Sequence, residues 1–213
     1  MRISVAGALL LAAACGNIGS PLITSTDVYE FRDVELGDTI VFHWPRSAMP
    51  VRVWVASDSP ILGDVETAIA RWQSAFLYGE FRATLVADSS TADVIVRNTV
   101  SDVGTGLGSR ARECSGETES FIDFVAHTAQ LPIHVFVYAA ASNPGPGLAT
   151  CYSITTTHEF GHVLGIINPA HAGTTTADVM YPDPTFDGIS DRDRSTVLTL
   201  YLVPSNITIT GRR

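Results

Sequence analysis

The segment 158–162, with the sequence HEFGH, combines residue types that bind and use a metal ion. Its two histidines, His158 and His162, are four positions apart, so on a helix they share one face and can bind one metal ion. Glu159 lies to the side of this pair, where it could accept a proton from a water molecule without being a ligand itself. The opposite side of such a helix is apolar and would be buried: Phe160, Val163 and Leu164.

These residues need a helix to hold them, and the pattern predicts one at 149–167. Thr155, Thr156 and Thr157 are poor helix formers, so packing would have to hold this helix in place. A last helix is predicted from Ser190 to Tyr201, with Ser190 as its cap and Asp193 three residues on. Apolar periodicity predicts the other elements: strands at 51–55, 81–86, 93–96 and 133–138, and a helix at 64–78.

Composition restricts the classes of protein that the chain could represent. Its 213 residues are 46% hydrophobic and 16% charged, which suits one compact globular domain and excludes a disordered or fibrous protein. Thirteen Lys and Arg against 22 Asp and Glu leave a formal charge of −9. A nucleic-acid partner is therefore not expected, because phosphate binding needs a basic face.

Residues 1–14 have the features of a secretory signal peptide: one Arg, then an apolar run that ends in small residues. The segment 11–16, with the sequence LAAACG, resembles a bacterial lipoprotein lipobox, in which Cys15 becomes the lipidated first residue. Ordinary cleavage at the Ala-x-Ala site and an incidental Cys15 are the alternatives. Either processing event places the protein outside the cytoplasm, as a cell-envelope lipoprotein or as a secreted protein.

If Cys15 carries lipid, Cys114 and Cys151 form an even pair in a compartment that allows disulfides. A bridge between them is expected, with two buried free thiols as the alternative. The predicted domain organisation is a signal peptide at 1–14, a tether at 15–42, a globular domain at 43–203 and a tail at 204–213; the resemblance described next implies that the globular domain is catalytic.

The HEFGH segment, its extension to Gly165 and the later Val179-Met180-Tyr181-Pro182 resemble the metzincin zinc peptidases, most closely the matrixin-like branch. The resemblance extends from about residue 43 to 202, and its specific part is 157–201. It implies an α+β zincin fold, in which a twisted mixed sheet, an active-site helix and a closing C-terminal helix surround a zinc cleft. It also implies that Gly165 ends the active-site helix and that Met180 supports the zinc site from below.

One departure from the family pattern concerns the third zinc ligand. The usual third histidine stands three residues after the glycine, where this chain has Asn168, and His171 follows three residues later. His171 is the expected ligand, because imidazole binds zinc better than asparagine. The number of residues from His171 to Met180 is also close to the family's usual spacing between the third ligand and the methionine of the Met-turn. Asn168, Asp178 and a site without a third protein ligand are the alternatives.

The resemblance implies a zinc endopeptidase in which Glu159 is the general base and the substrate is a protein or peptide. Tyr181 and Pro182 are candidates for the substrate pocket, with a packing role for Tyr181 as the alternative. Two other functions stay open: a catalytically weak or inactive envelope protein that binds peptides, and a zinc hydrolase of cell-wall peptides. A membrane is expected as a partner only through the lipid anchor.

Overall fold

The computed structural model describes residues 27–35, 38–101, 113–140, 146–167 and 172–211. Within these ranges the helices are α1 (Leu62–Gln73), α2 (Leu148–Leu164) and α3 (Asp191–Leu202), with single 3-10 turns at Arg46–Ala48 and Ser89–Thr91. The strands are β1 (Asp33–Glu35), β2 (Asp38–Ile40), β3 (Val51–Trp54), β4 (Ala83–Leu85), β5 (Val94–Ser101), β6 (Cys114–Asp123), β7 (Thr128–Ala140) and β8 (Thr208–Thr210).

One mixed sheet organises the molecule. Its strands lie in the order β4-β3-β5-β7-β6, and β8 pairs with the start of β7. The neighbours β4-β3, β3-β5 and β5-β7 are parallel, as are β7 and β8, whereas β6 runs antiparallel to β7. Strands β1 and β2 form a separate antiparallel pair. The predicted α+β class with a mixed sheet is therefore confirmed.

The core lies between the sheet and the helices. Alternate residues of the central strands point into it and are fully or almost fully buried, as the period of two along a strand requires. Helices α1 and α2 pack against each other, and α2 also contacts β6 and β7. The buried residues of the central strands are Val51, Val53, Val94, Val96, Ile133, Val135 and Val137.

Helix α3 begins as the sequence predicts. The side chain of Ser190 accepts a hydrogen bond from the backbone of Asp193, and the side chain of Asp193 accepts one from the backbone of Ser190. This capping box satisfies backbone donors that have no partner within the helix.

The chain ends contribute more to the fold than the predicted boundaries allow. Tyr29, Phe31 and Phe42, which lie in the predicted tether, are buried in the main core. The predicted tail contains β8, and the Asn206 amide accepts a hydrogen bond from the backbone N–H of Val41 at 2.9 Å. From residue 27 onward the folded body therefore includes segments assigned to the tether and the tail. Tyr29 and Phe31 alternate with Glu30 and Arg32, but this alternation is too short to stand out in a stretch rich in polar residues.

The predicted signal peptide and Cys15 lie outside the described residues. No helix within the described ranges is long and apolar enough to cross a membrane.

Candidate metal centre

Helix α2 carries the HEFGH segment and ends directly after it. Gly165 follows with φ 115°, and its N–H donates to the carbonyls of Gly161 and His162, which closes the last turn. A Cβ atom at Gly165 would collide with the carbonyl oxygen of Phe42, so only glycine fits this position. The chain therefore turns sharply after Leu164, earlier than the predicted helix end at residue 167.

Two tryptophans hold α2 from the apolar side. The indole N–H of Trp72, in α1, donates to the carbonyl oxygen of Thr157 at 2.8 Å. The indole N–H of Trp44 donates to the carbonyl oxygen of Val163 at 2.7 Å, near the helix end where carbonyls lack partners within the helix. Both tryptophans are almost completely buried. This packing supplies the stability that the threonine-rich sequence of α2 does not provide by itself.

The two histidines lie side by side, with ring centroids 5.0 Å apart and ring planes at 79°. The Nδ1 atom of His158 lies 2.7 Å from the carbonyl oxygen of Val179, and that of His162 lies 2.5 Å from the carbonyl oxygen of Ile166. A carbonyl oxygen can only accept, so each Nδ1 carries the proton in the neutral ring, and each Nε2 carries the lone pair. A zinc ion binds imidazole in this form, and backbone carbonyls often orient such ligands.

Glu159 is buried beside the histidines, against strand β6. The hydroxyl of Thr118 donates to its Oε2 at 2.7 Å, and its other carboxylate oxygen lies over Gly116. Burial raises the pKa of Glu159 to about 8; the Thr118 hydrogen bond opposes this shift, and the charge of Glu117 adds to it.

Met180 lies directly beneath α2 and is fully buried. A Cβ atom at Gly161 would collide with the Met180 sulfur and would lie 3.0 Å from the Trp72 ring. The glycine inside the HEFGH segment therefore lets the methionine approach the helix backbone. Together with the bond from His158 to Val179, this contact fixes the 179–180 turn against the histidine pair.

The carboxylate of Asp193 holds the same turn from the other side. It accepts hydrogen bonds from the backbone N–H of Val179 at 2.9 Å, from that of Ser190 at 2.7 Å and from the hydroxyl of Tyr29 at 2.8 Å. The N–H of Met180 also points to it, at 3.5 Å. Asp193 is completely buried, so this carboxylate is a structural centre that links α3, the N-terminal segment and the turn.

The alternative third ligand Asp178 is engaged elsewhere. Its Oδ2 accepts from the backbone N–H of Thr175 at 2.8 Å and from Arg192 at 2.6 Å, and its Oδ1 accepts from Ser190 at 2.9 Å. Arg192 also neutralises its charge. These partners leave Asp178 a structural role in the irregular segment before α3.

His171 and Asn168, the other candidates for the third ligand, lie outside the described residues. Within the described part of the chain, no group of three or more His, Cys, Asp or Glu side chains is placed to hold a metal ion. His158 and His162 are brought together there as two donors of the type that zinc prefers, so these residues fit a zinc ion to which further ligands are added.

The remaining predicted site residues lie around α2. Tyr181 is half-buried directly after Met180, and Pro182 is exposed. Cys114, at the start of β6, and Cys151, in α2, are joined in a disulfide with Cα atoms 5.9 Å apart.

Several residues at the site had no sequence signal. Gly116 and Thr118 contact Glu159 from a strand that the sequence analysis did not predict, and Tyr29 contacts Asp193 from the predicted tether. None of these belongs to a motif with a fixed spacing to the HEFGH segment, so only the tertiary structure reveals them.

No family model matches the chain, and no curated protein is detectably similar to it. The functional assignment therefore rests on the residues of the site and on their geometry.

Proposed function

We propose that this chain is a zinc-dependent endopeptidase of the metzincin type. The observation that carries the proposal is the placement of His158, Glu159 and His162 on one buried helix above the Met180 turn. Both imidazoles have the tautomer suited to metal binding, because their Nδ1 atoms donate to backbone carbonyls. We assign His171 as the third ligand, because its imidazole binds zinc better than the amide of Asn168.

The order of elements agrees with what the resemblance implies. Strands β3 to β7 of the mixed sheet precede α2, the Met180 turn follows α2, and α3 follows that turn, before β8 joins the sheet. Gly165 ends α2 in a left-handed conformation, and Gly161 allows Met180 to approach the helix closely. Both glycines therefore have a defined structural role. These features support a metzincin-like zincin fold.

In the proposed reaction the chain positions the substrate and moves a proton. A zinc ion at the histidines would supply Lewis acidity, which acidifies water and polarises the scissile carbonyl. In its ionised form, Glu159 accepts the proton of the attacking water at its carboxylate and later donates it to the leaving amine. Met180 and the carbonyls of Val179 and Ile166 keep the two imidazoles in place throughout.

Strand β6 is suited to receive an extended peptide. It is the last strand on its side of the sheet within the described residues, and α2 lies beneath it. An extended substrate that adds to a strand edge uses backbone hydrogen bonds, which are independent of side-chain identity. We therefore place the substrate along β6, with Tyr181 and Pro182 as candidates for pocket residues.

The replacement Glu159→Ala tests the proposal. It should leave zinc binding intact, since Glu159 is not a ligand, and lower peptide hydrolysis by at least about 100-fold, the contribution of a general base. Hydrolysis of a peptide panel and metal analysis of both proteins measure this. Full activity of Glu159→Ala would contradict the assignment.

The same panel distinguishes the other functions. A wild-type protein that binds peptides without cleaving them would be an envelope binding protein. Activity confined to cell-wall peptides would indicate a specialised hydrolase. We also propose a location outside the cytoplasm, with a lipid anchor at Cys15 or secretion; the intact mass of the protein purified from cells distinguishes lipidation from ordinary cleavage.

A further inference from the structure

Strand β6 and helix α2 meet at three successive levels. Cys114 is bonded to Cys151, Gly116 lies against Thr155, and Thr118 binds Glu159. The strand residues are two positions apart and the helix residues four positions apart. Two strand residues span about 6.6 Å and four helix residues about 6 Å, so the two elements run in step over this contact. The Cys114–Cys151 disulfide is the first of these three residue pairs, and the pair that contains the candidate general base Glu159 is the last.

Each carboxylate oxygen of Glu159 has a defined neighbour on β6. Oε2 accepts the hydroxyl proton of Thr118, whose oxygen also lies 3.2 Å from the Glu159 carbonyl oxygen. Oε1 occupies the space above Gly116 that a Cβ atom would fill, and a Cβ there would also lie 2.7 Å from Cγ of Glu159. The hydrogen bond from Thr118 therefore holds the carboxylate on one side, and Gly116, which has no side chain, leaves space for it on the other.

We propose that Thr118 is a positioning residue for the general base Glu159. Gly116 leaves the space that the carboxylate needs in this position, and the Cys114–Cys151 disulfide fixes the register of β6 against α2. This inference rests on the proposed function. Proton transfer depends steeply on geometry, and a displacement of about 1 Å at a catalytic group can lower a rate by about 100-fold. A strand that both lines the cleft and holds the general base would couple substrate docking on β6 to the placement of Glu159.

The test compares Thr118→Val, Thr118→Ser and Thr99→Val in the zinc-loaded enzyme. Valine has the shape of threonine without the hydroxyl, so kcat should fall about 10- to 100-fold with KM within about twofold of the wild type. Serine keeps the hydroxyl and should restore most of kcat. Thr99 is an exposed threonine of β5, and its replacement should leave kcat unchanged. Zinc content should be equal in all four proteins.

A second readout does not depend on activity. Crystal structures of the wild type and of Thr118→Val should show the Glu159 carboxylate displaced from β6 in the variant. Gly116→Ala should displace it further and lower kcat more, because its Cβ atom would overlap Oε1. An unmoved carboxylate in both variants would overturn the positioning role.

The outcomes separate this inference from the proposed function. If the wild type cleaves peptides and Glu159→Ala does not, but Thr118→Val keeps the wild-type kcat, the inference is wrong and the proposed function stands. If Glu159→Ala is as active as the wild type, or if the wild type cleaves nothing, the proposed function fails and the positioning role fails with it. A loss of kcat in Thr118→Ser equal to that in Thr118→Val would also contradict the role of the hydroxyl.

Discussion

Single residues at the ends of α2 and α3 decide whether the site can form. The histidines and Glu159 occupy one short stretch of helix, and their neighbours Gly161 and Gly165 let the rest of the protein approach that stretch closely. Asp193 then holds the turn that contacts His158. Substitutions at these supporting residues should therefore affect stability and metal binding together.

Gly165→Ala should lower the free energy of unfolding by about 2 kcal/mol or more. Alanine is strained at φ 115°, and its Cβ atom would collide with the carbonyl oxygen of Phe42. Gly63→Ala in α1 is the matched control, because no atom lies within 4 Å of its Cβ position. That control should be neutral or more stable by up to about 1 kcal/mol, since alanine favours helix. Urea unfolding measures both, and equal effects would contradict the account of the turn.

Asp193→Ala should cost about 3–5 kcal/mol of stability, because buried donors from Val179, Ser190 and Tyr29 would lose their acceptor. Zinc affinity should also fall, since the turn that contacts His158 would loosen. Asp191→Ala, in the same helical turn but exposed, should cost less than about 1 kcal/mol through the helix dipole. Thermal unfolding and zinc titration test the pair. Similar losses for both variants would mean that the buried network is not what stabilises the turn.

At the scale of elements, clear apolar periodicity predicted where helices lie, whereas a strand without such periodicity was missed. The sequence places both ends of α2 and α3 within three residues of their observed ends, because apolar residues at helical spacing and the Ser190 cap are local signals. The helix predicted at 64–78 runs five residues past the observed end of α1 at Gln73, because Ala75 and Phe76 are buried without being helical. Strand β6 was not predicted. Its core-facing positions include Cys114, Gly116 and Thr118, small or polar residues that fit closely against α2, so the strand lacks apolar alternation.

The N-terminal segment, predicted as a tether, makes backbone contacts with distant parts of the protein. The N–H of Glu30 donates to the carbonyl of Ala172 at 3.1 Å, and the N–H of Ile167 donates to the carbonyl of Phe31 at 3.2 Å. This segment therefore binds the chain on both sides of residues 168–171. Such pairing depends on partners more than a hundred positions away, which a local pattern does not record.

Phe31→Ala tests whether this segment is part of the folded body. Phe31 is 7% exposed, so its truncation should cost about 3 kcal/mol of stability. Val34→Ala, nearby but with Val34 64% exposed, should change stability by less than about 0.5 kcal/mol. Denaturant unfolding measures the difference. A Phe31→Ala protein as stable as the wild type would restore the interpretation of this segment as a tether.

At the scale of the whole molecule, the fold brings distant parts of the chain to one site. The mixed sheet supplies β6, α2 supplies the histidines and Glu159, and the segment before α3 supplies Met180. The sequence predicted the site residues on α2 because their spacing is short and fixed. It could not predict the residues that hold them, since those come from β6, α3 and the N-terminal segment.

The most direct test of the central claim is the zinc content of the purified protein after dialysis, measured by elemental analysis for the wild type, His171→Ala and Asn168→Ala. We expect about one zinc ion per chain in the wild type and in Asn168→Ala, and a much lower content in His171→Ala. Loss of zinc in Asn168→Ala alone would show that the third ligand is assigned to the wrong residue. A wild-type protein that holds no zinc would contradict the account.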